Sequence, residues 1–187
     1  MPAKEKIIDY NENSVEIEKW LVLKGETKYL RFAELLTKNN ISVKWEFLRD
    51  TYRYDKRLLI NVFKYLSFFE EFLKAQIWNI NKPSYKKVEK YFIAEVIDEI
   101  LTISDKIDYI GFSIVSLEQN KDKINYLRNR VAHNKIILES EKDGANIKAI
   151  LNDFKNCLPE SYQHGFASDI NKCAGGLNIP SEFQICI

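Results

Sequence analysis

The segment from Leu58 to Trp78 constrains the fold more than any other part of the chain, because its apolar residues recur at helical spacing on two seams. Leu59, Phe63, Leu66, Leu73 and Ile77 form one seam, and Leu58, Val62, Tyr65, Phe69 and Phe72 form the other. A helix that is apolar on two seams needs neighbours on both, so this one belongs near the middle of a helical assembly. Helical periodicity dominates elsewhere and strand-like alternation is scarce, which predicts an all-α fold. At 187 residues the chain can bury a substantial core as one domain.

Further helices are expected around that segment. Val15 to Leu23 and Tyr29 to Lys38 read as short helices, the second closed by Asn39-Asn40, and Val43 to Arg53 as another. Asn81-Lys82-Pro83-Ser84 breaks the pattern, with Ser84 placed to cap a helix from Tyr85 to about Ile103. Asp105 to Glu118 and Lys121 to Leu138 are expected as the last two core helices. Asp143-Gly144 marks a turn, and a helix from Asn146 to Leu158 precedes a loop-rich tail over 159–187 containing Pro159, Gly175, Gly176 and Pro180. The expected organisation is a single domain over 1–187, with its core at about 45–140 and additional helices at both ends.

Chemistry concentrates in Tyr126-Leu127-Arg128-Asn129-Arg130-Val131-Ala132-His133-Asn134-Lys135, which sets one of only two histidines beside a cluster of fixed positive charge. Arginine grips a phosphate through a planar fork of donors. Histidine can give or take a proton near neutral pH. On one helix of about 3.6 residues per turn, Leu127, Val131, Ile124 and Leu138 share a core-facing arc, while Arg128, Asn129, Ala132 and His133 fall on another. Asn129 and His133 stand four apart, so the amide can orient the imidazole. Ile136 interrupts the polar arc, as if another helix or subunit covered it. Arg130 points away from Arg128, toward a solvated or RNA-backbone role. The plainer reading is that Arg-Asn and His-Asn-Lys cap helix ends and complement the helix dipole.

At Arg128, Asn129 and His133 the chain resembles the HEPN superfamily, whose signature is an arginine, usually followed by a polar residue, and a histidine four to six positions on. Tyr52-Arg53-Tyr54-Asp55-Lys56-Arg57-Leu58-Leu59, with Glu70-Glu71-Phe72-Leu73-Lys74-Ala75, resembles the abortive-infection (Abi-like) branch. The likeness covers roughly residues 45–140 and rests on a short motif. It implies an all-α, HEPN-like helical bundle, a homodimer that brings two motifs together, and metal-independent RNA cleavage in active members. Other members only bind. Arg128 and His133 would then be catalytic.

Glu70 stands on the first seam where an apolar residue is expected, and a carboxylate there needs a partner. Lys74, four residues on, is the local candidate. The alternative, which the resemblance favours, is that Glu70 supports Arg128 or His133 together with Asn129. The net charge is only +1, so RNA binding needs a local patch rather than a basic domain. Lys121, Lys123, Arg128, Arg130 and Lys135 against Asp122 supply one, with Lys123, Arg130 and Lys135 as RNA-backbone contacts. Lys82, Lys86, Lys87 and Lys90, diluted by Glu89, read as a solvated face.

Cys157, Cys173 and Cys186 are odd in number and lack metal-ligand spacing, which reads as free thiols in a reducing cytosol. Asp105 with Asp108, and Glu139 with Glu141, are not spaced as a metal site, so no metal or cofactor is expected. Gly175-Gly176 lacks the lysine and hydroxyl residue of a phosphate loop. His164 has no acid or cysteine beside it, and Trp20, Trp45 and Trp78 read as core. The charged start of the chain precedes no long apolar run, so neither secretion nor a membrane is expected, and the cytoplasm is the expected location.

The function expected is therefore a metal-independent endoribonuclease, acting in phage defence by abortive infection or in a toxin–antitoxin system, with RNA as substrate and an antitoxin or regulatory protein as a second partner. The alternative is a non-catalytic helical module that binds RNA or protein through the Arg128 face.

Overall fold

The structure is a computed structural model that describes residues 3–82, 88–107 and 111–187. Pro83, Ser84, Tyr85, Lys86, Lys87 and Asp108, which enter the expectations above, lie outside the described residues. The fold is all-α. Its helices are α1 (Ala3–Lys6), α2 (Tyr10–Lys24), α3 (Glu26–Lys38), α4 (Trp45–Asn81), α5 (Ile93–Thr102), α6 (Ile114–Ala132), α7 (Ile147–Cys157) and α8 (Glu160–Asn171). The only strands among the described residues are β1 (Glu141–Lys142) and β2 (Ala145–Asn146), an antiparallel pair. Asp143 (φ 54°) and Gly144 (φ 76°) turn between them, as the Asp-Gly signal predicts.

Several boundaries differ from expectation. The helices expected at Val43–Arg53 and Leu58–Trp78 are one helix of 37 residues. The polar run Tyr54 to Arg57 contains no glycine or proline, and a charged turn alone does not stop a helix. The expected pair Asp105–Glu118 and Lys121–Leu138 is likewise replaced by α6. It begins only where Ser113 accepts a hydrogen bond from the Ser116 N–H at 3.1 Å and ends at Ala132. Where a helix was expected from Tyr85, the described residues form α5 from Ile93. The 159–187 tail is not loop alone: its first part is α8, which buries Phe166 and Ile170.

The chain forms two compact units, Met1–Arg57 with Lys172–Ile185, and Leu58–Asn171 with Cys186–Ile187. In the first, α3 buries Tyr29, Phe32, Ala33 and Leu36, and α4 adds Trp45, Leu48 and Tyr52. Tyr29 stacks on Tyr52 with ring centroids 5.1 Å apart, and Phe32 meets Tyr52 edge-on. Residues 172–185 belong here because Cys173, Ile179, Phe183 and Ile185 are buried and their backbone is bonded to α4. The Asn178 N–H donates to Asp50 at 2.9 Å, the Ile185 N–H to the Tyr54 hydroxyl at 2.8 Å, and Arg57 donates to the carbonyls of Cys173 and Gly175 at 3.0 and 2.7 Å. Burial raises the Asp50 pKa, but the Asn178 N–H and the Arg49 and Arg53 guanidiniums outweigh it and hold the carboxyl below its ordinary value.

The second unit is built on the rest of α4. Leu58, Val62, Tyr65, Leu66, Phe69, Leu73 and Ile77 are buried, forming one broad face drawn from both expected seams, while Phe63 is exposed. An aromatic cluster of Tyr65, Phe69, Phe112, Phe154 and Phe166 joins α4 to α7 and α8 through edge-on contacts. α6 packs against α5 and α7. That packing presents the motif. All three cysteines are free thiols, with Cys157 and Cys173 buried and Cys186 exposed. No helix among the described residues is long and apolar enough to cross a membrane.

Candidate functional site

The arcs read from the sequence match burial along the last turns of α6. Ile124, Leu127 and Val131 are buried, Asn129, Ala132 and His133 are exposed, and Arg128 is half-buried. The helix ends inside the motif, not at Leu138. His133 is its C-cap residue, donating its N–H to the Asn129 carbonyl at 3.2 Å. Asn134 takes a left-handed conformation at φ 50°, its N–H bonds the Val131 carbonyl at 3.0 Å, and the Lys135 N–H bonds the Arg130 carbonyl at 2.9 Å. These two bonds define a Schellman stop, and asparagine is the residue other than glycine that best tolerates its left-handed position.

This termination disposes of the irregularity at Ile136. The residue is not on the site arc at all: beyond the stop the chain turns inward and buries Ile136, Ile137 and Leu138. No covering helix or subunit is needed to account for it. The plainer reading of His-Asn-Lys as a helix end describes the backbone correctly, while the His133 and Lys135 side chains both remain exposed.

Arg128 sits with its guanidinium carbon 5.8 Å from the centre of the Phe92 ring, a cation–π arrangement. Phe92 lies immediately before α5 and is 64% exposed, held there by its N–H donating to the Glu95 carboxylate at 2.8 Å. Phe92 falls outside the motif and outside any apolar arc, so the motif does not point to it. An aromatic at a helix start, preceding Ile93 as the first buried residue, was the available signal.

The other predicted site residues are dispersed. Lys123 donates to Asp153 at 2.6 Å and to Asn120 at 3.3 Å, an engagement between α6 and α7. Arg130 folds inward, stacking 5.8 Å from the Tyr126 ring and donating to the Ile136 carbonyl, while its Nε is buried with no hydrogen-bond partner among the described residues. Lys123 therefore ties α6 to α7, and Arg130 braces the helix end. Of the three residues expected to contact an RNA backbone, Lys135 alone stands exposed. Glu70 accepts from Lys74 at 2.7 Å, the local pair, and Lys74 also reaches the Glu89 carbonyl at 3.4 Å. Glu70 lines an open groove of about 570 Å³ with Lys74, Trp78, Val88 and Glu89, and no bond joins it to Arg128 or His133. Trp45 is core, Trp20 is half-buried, and Trp78 is 48% exposed on this groove. His164 is exposed on α8.

The assembled site is thus Arg128 against Phe92, with Asn129, His133 and Lys135 along the same exposed helix end. No known protein family, characterised protein or solved structure matches this chain. The chemistry of these side chains therefore carries the functional argument. They offer two cations, Arg128 and Lys135, an exposed imidazole, and an aromatic face.

Proposed function

We propose that the Arg128–His133 surface is the active site of a metal-independent endoribonuclease of the HEPN type. The observation that supports this reading is the presentation of the motif. Asn129, Ala132 and His133 face solvent where ordinary core packing would place nothing functional, and Arg128 is held ready against Phe92. Arg128 would grip the scissile phosphate and neutralise charge developing on its oxygens. His133 would accept the proton of the ribose 2′-hydroxyl, whose oxygen attacks phosphorus and forms the 2′,3′-cyclic phosphate. The bond to the 5′-oxygen breaks, and that oxygen takes a proton from a second histidine.

Each chain supplies one histidine to this site, so the reading requires two copies arranged about a two-fold axis, with His133 of each facing the other. Phe92 extends the reading: an exposed ring beside the phosphate grip is suited to stacking a flanking base. An abortive-infection or toxin–antitoxin setting, with an antitoxin or regulatory partner, belongs to the same proposal. The deciding experiment incubates the protein with RNA in excess EDTA, with His133→Ala in parallel, and probes the products for cyclic phosphate ends. Cleavage that disappears in the variant supports the nuclease. RNA binding without cleavage by folded, dimeric protein replaces it with the binding-module reading.

A further inference from the structure

The outer face of α4 within the second unit carries three large apolar side chains that no described residue covers. Ile60 is 63% exposed, Phe63 57% and Trp78 48%. At about 100° per residue they share one arc of the helix with Ser67, Glu71 and Ala75, which are also exposed, on the side away from its buried face. Single exposed apolar residues are ordinary, but a stripe sustained over about 27 Å of one helix marks a surface for docking. The stripe is uneven along its length. Ile60 and Phe63 raise its first half. Its second half is hollow: the open groove of about 570 Å³ runs past Ser67, Glu71, Ala75 and Trp78, with Val88 and Glu89 as its far wall. Lys74 holds that wall on one flank of the stripe, donating to Glu70 at 2.7 Å and to the Glu89 carbonyl at 3.4 Å.

We propose that this face docks a second copy of the chain, with the two α4 helices antiparallel about a two-fold axis level with Phe69. The register brings Ile60 opposite the partner's Trp78, Phe63 level with the partner's Ala75, and Ser67 level with the partner's Glu71. Raised residues thus meet hollow ones at both ends, as a self-complementary two-fold contact demands. The axis keeps each residue on its own flank, and Phe63 lies on the same flank as Lys74, so its ring enters the partner's groove beside the Val88 and Glu89 wall. The Ser67 hydroxyl supplies a donor for the partner's Glu71 carboxylate. Lys64 and Lys74 also come level, but each is paired with an acid of its own chain, Asp169 at 2.9 Å and Glu70 at 2.7 Å, so no bare like-charge pair opposes the contact. Another protein would have to reproduce this alternation of raised and hollow levels, whereas a second copy does so by symmetry. The surface belongs to the second unit alone and does not depend on the reading of Arg128 and His133.

The test uses the full-length chain. Sedimentation equilibrium compares wild type with Phe63→Glu, a change at an exposed position that leaves the core alone, and thermal melts check the fold. We expect wild type to dimerise and Phe63→Glu to raise the dissociation constant at least about tenfold. A second measurement reads the register, in a Cys186→Ser background because Cys186 is the exposed thiol. The two copies of Ile60 would stand about 27 Å apart along the helix axes, each facing a Trp78 instead. Chains with Ile60→Cys and chains with Trp78→Cys, oxidised with diamide, should therefore form a disulfide-linked dimer when mixed and not when alone, and the mixed dimer keeps one intact Ile60–Trp78 contact at its other end. A wild type that stays monomeric overturns the proposal, and it removes the composite nuclease site as well. A dimer indifferent to Phe63→Glu, or cross-linking that is absent or independent of mixing, overturns the proposal while leaving that site to another surface.

Discussion

Two residues show how closely this chain is fitted. A Cβ added at Gly165 would lie 2.9 Å from the Tyr65 hydroxyl, and that hydroxyl is not free to retreat, since it donates to Asp169 at 3.0 Å and its ring packs against Phe166. Gly165→Ala is therefore expected to lower stability by about 1–3 kcal/mol, the range for overpacking a filled site, as read by chemical denaturation. Lys56 makes a prediction with a definite sign. Its pKa is about 8 in the folded protein against an ordinary 10.5, so between those values the unfolded chain binds the more protons and stability rises with pH. Below pH 8 the cost of charging Lys56 beside Lys28 and Lys24 is fully present. The buried Cys157 thiol, raised to about 12 by burial, works in the opposite sense above pH 9. The difference between wild type and Lys56→Met isolates the lysine: wild type should gain on the variant from pH 8 to 10.5, and parallel curves would refute the assignment.

At the scale of elements, the stop at the end of α6 decides what the motif can present. Asn134→Ala forces an alanine into a left-handed conformation and should cost about 1–2 kcal/mol, seen as a lower denaturation midpoint. Because the cap orients His133, the same change should also disturb any activity of the Arg128 surface. The stop was legible, for Asn134 follows His133 as a helix-ending residue should, but the apolar run Ile136 to Leu138 imitates another helical turn and hid it. The reverse error joined α4. A charged stretch imitates a boundary although it holds no helix breaker, and Asp55 within it is 1% exposed. Periodicity reports which residues are buried far better than it reports where the backbone turns, so Leu127 and Val131 were placed correctly while both ends of their helix were not. Phe92 escaped notice for a related reason. Its importance lies in a contact with Arg128, 36 positions away, which no local pattern contains.

At the scale of the molecule, the first unit is discontinuous in sequence, and neither composition nor periodicity announced that residues 172–185 would complete it. Their apolar side chains follow no helical period, and backbone donors among them meet Asp50 and the Tyr54 hydroxyl. Ending the chain after Asn171 should strip Asp50 of its Asn178 donor, uncover the groups that Ile179 and Phe183 bury, and erase amide-exchange protection over α3 and the start of α4. Protection from Val62 to Ile77 should be affected far less, because that face is packed within the other unit. The return of the chain also orders events during synthesis. Domains generally form from the N-terminus onward as the ribosome delivers them, yet the helices made first here must wait for a segment made after residues 58–171 of the second unit. The polypeptide can thus carry its Arg128 and His133 in a unit that lacks only its last two residues while its opening helices still lack their closing contacts, and a message cut short would yield a chain in which they never acquire them.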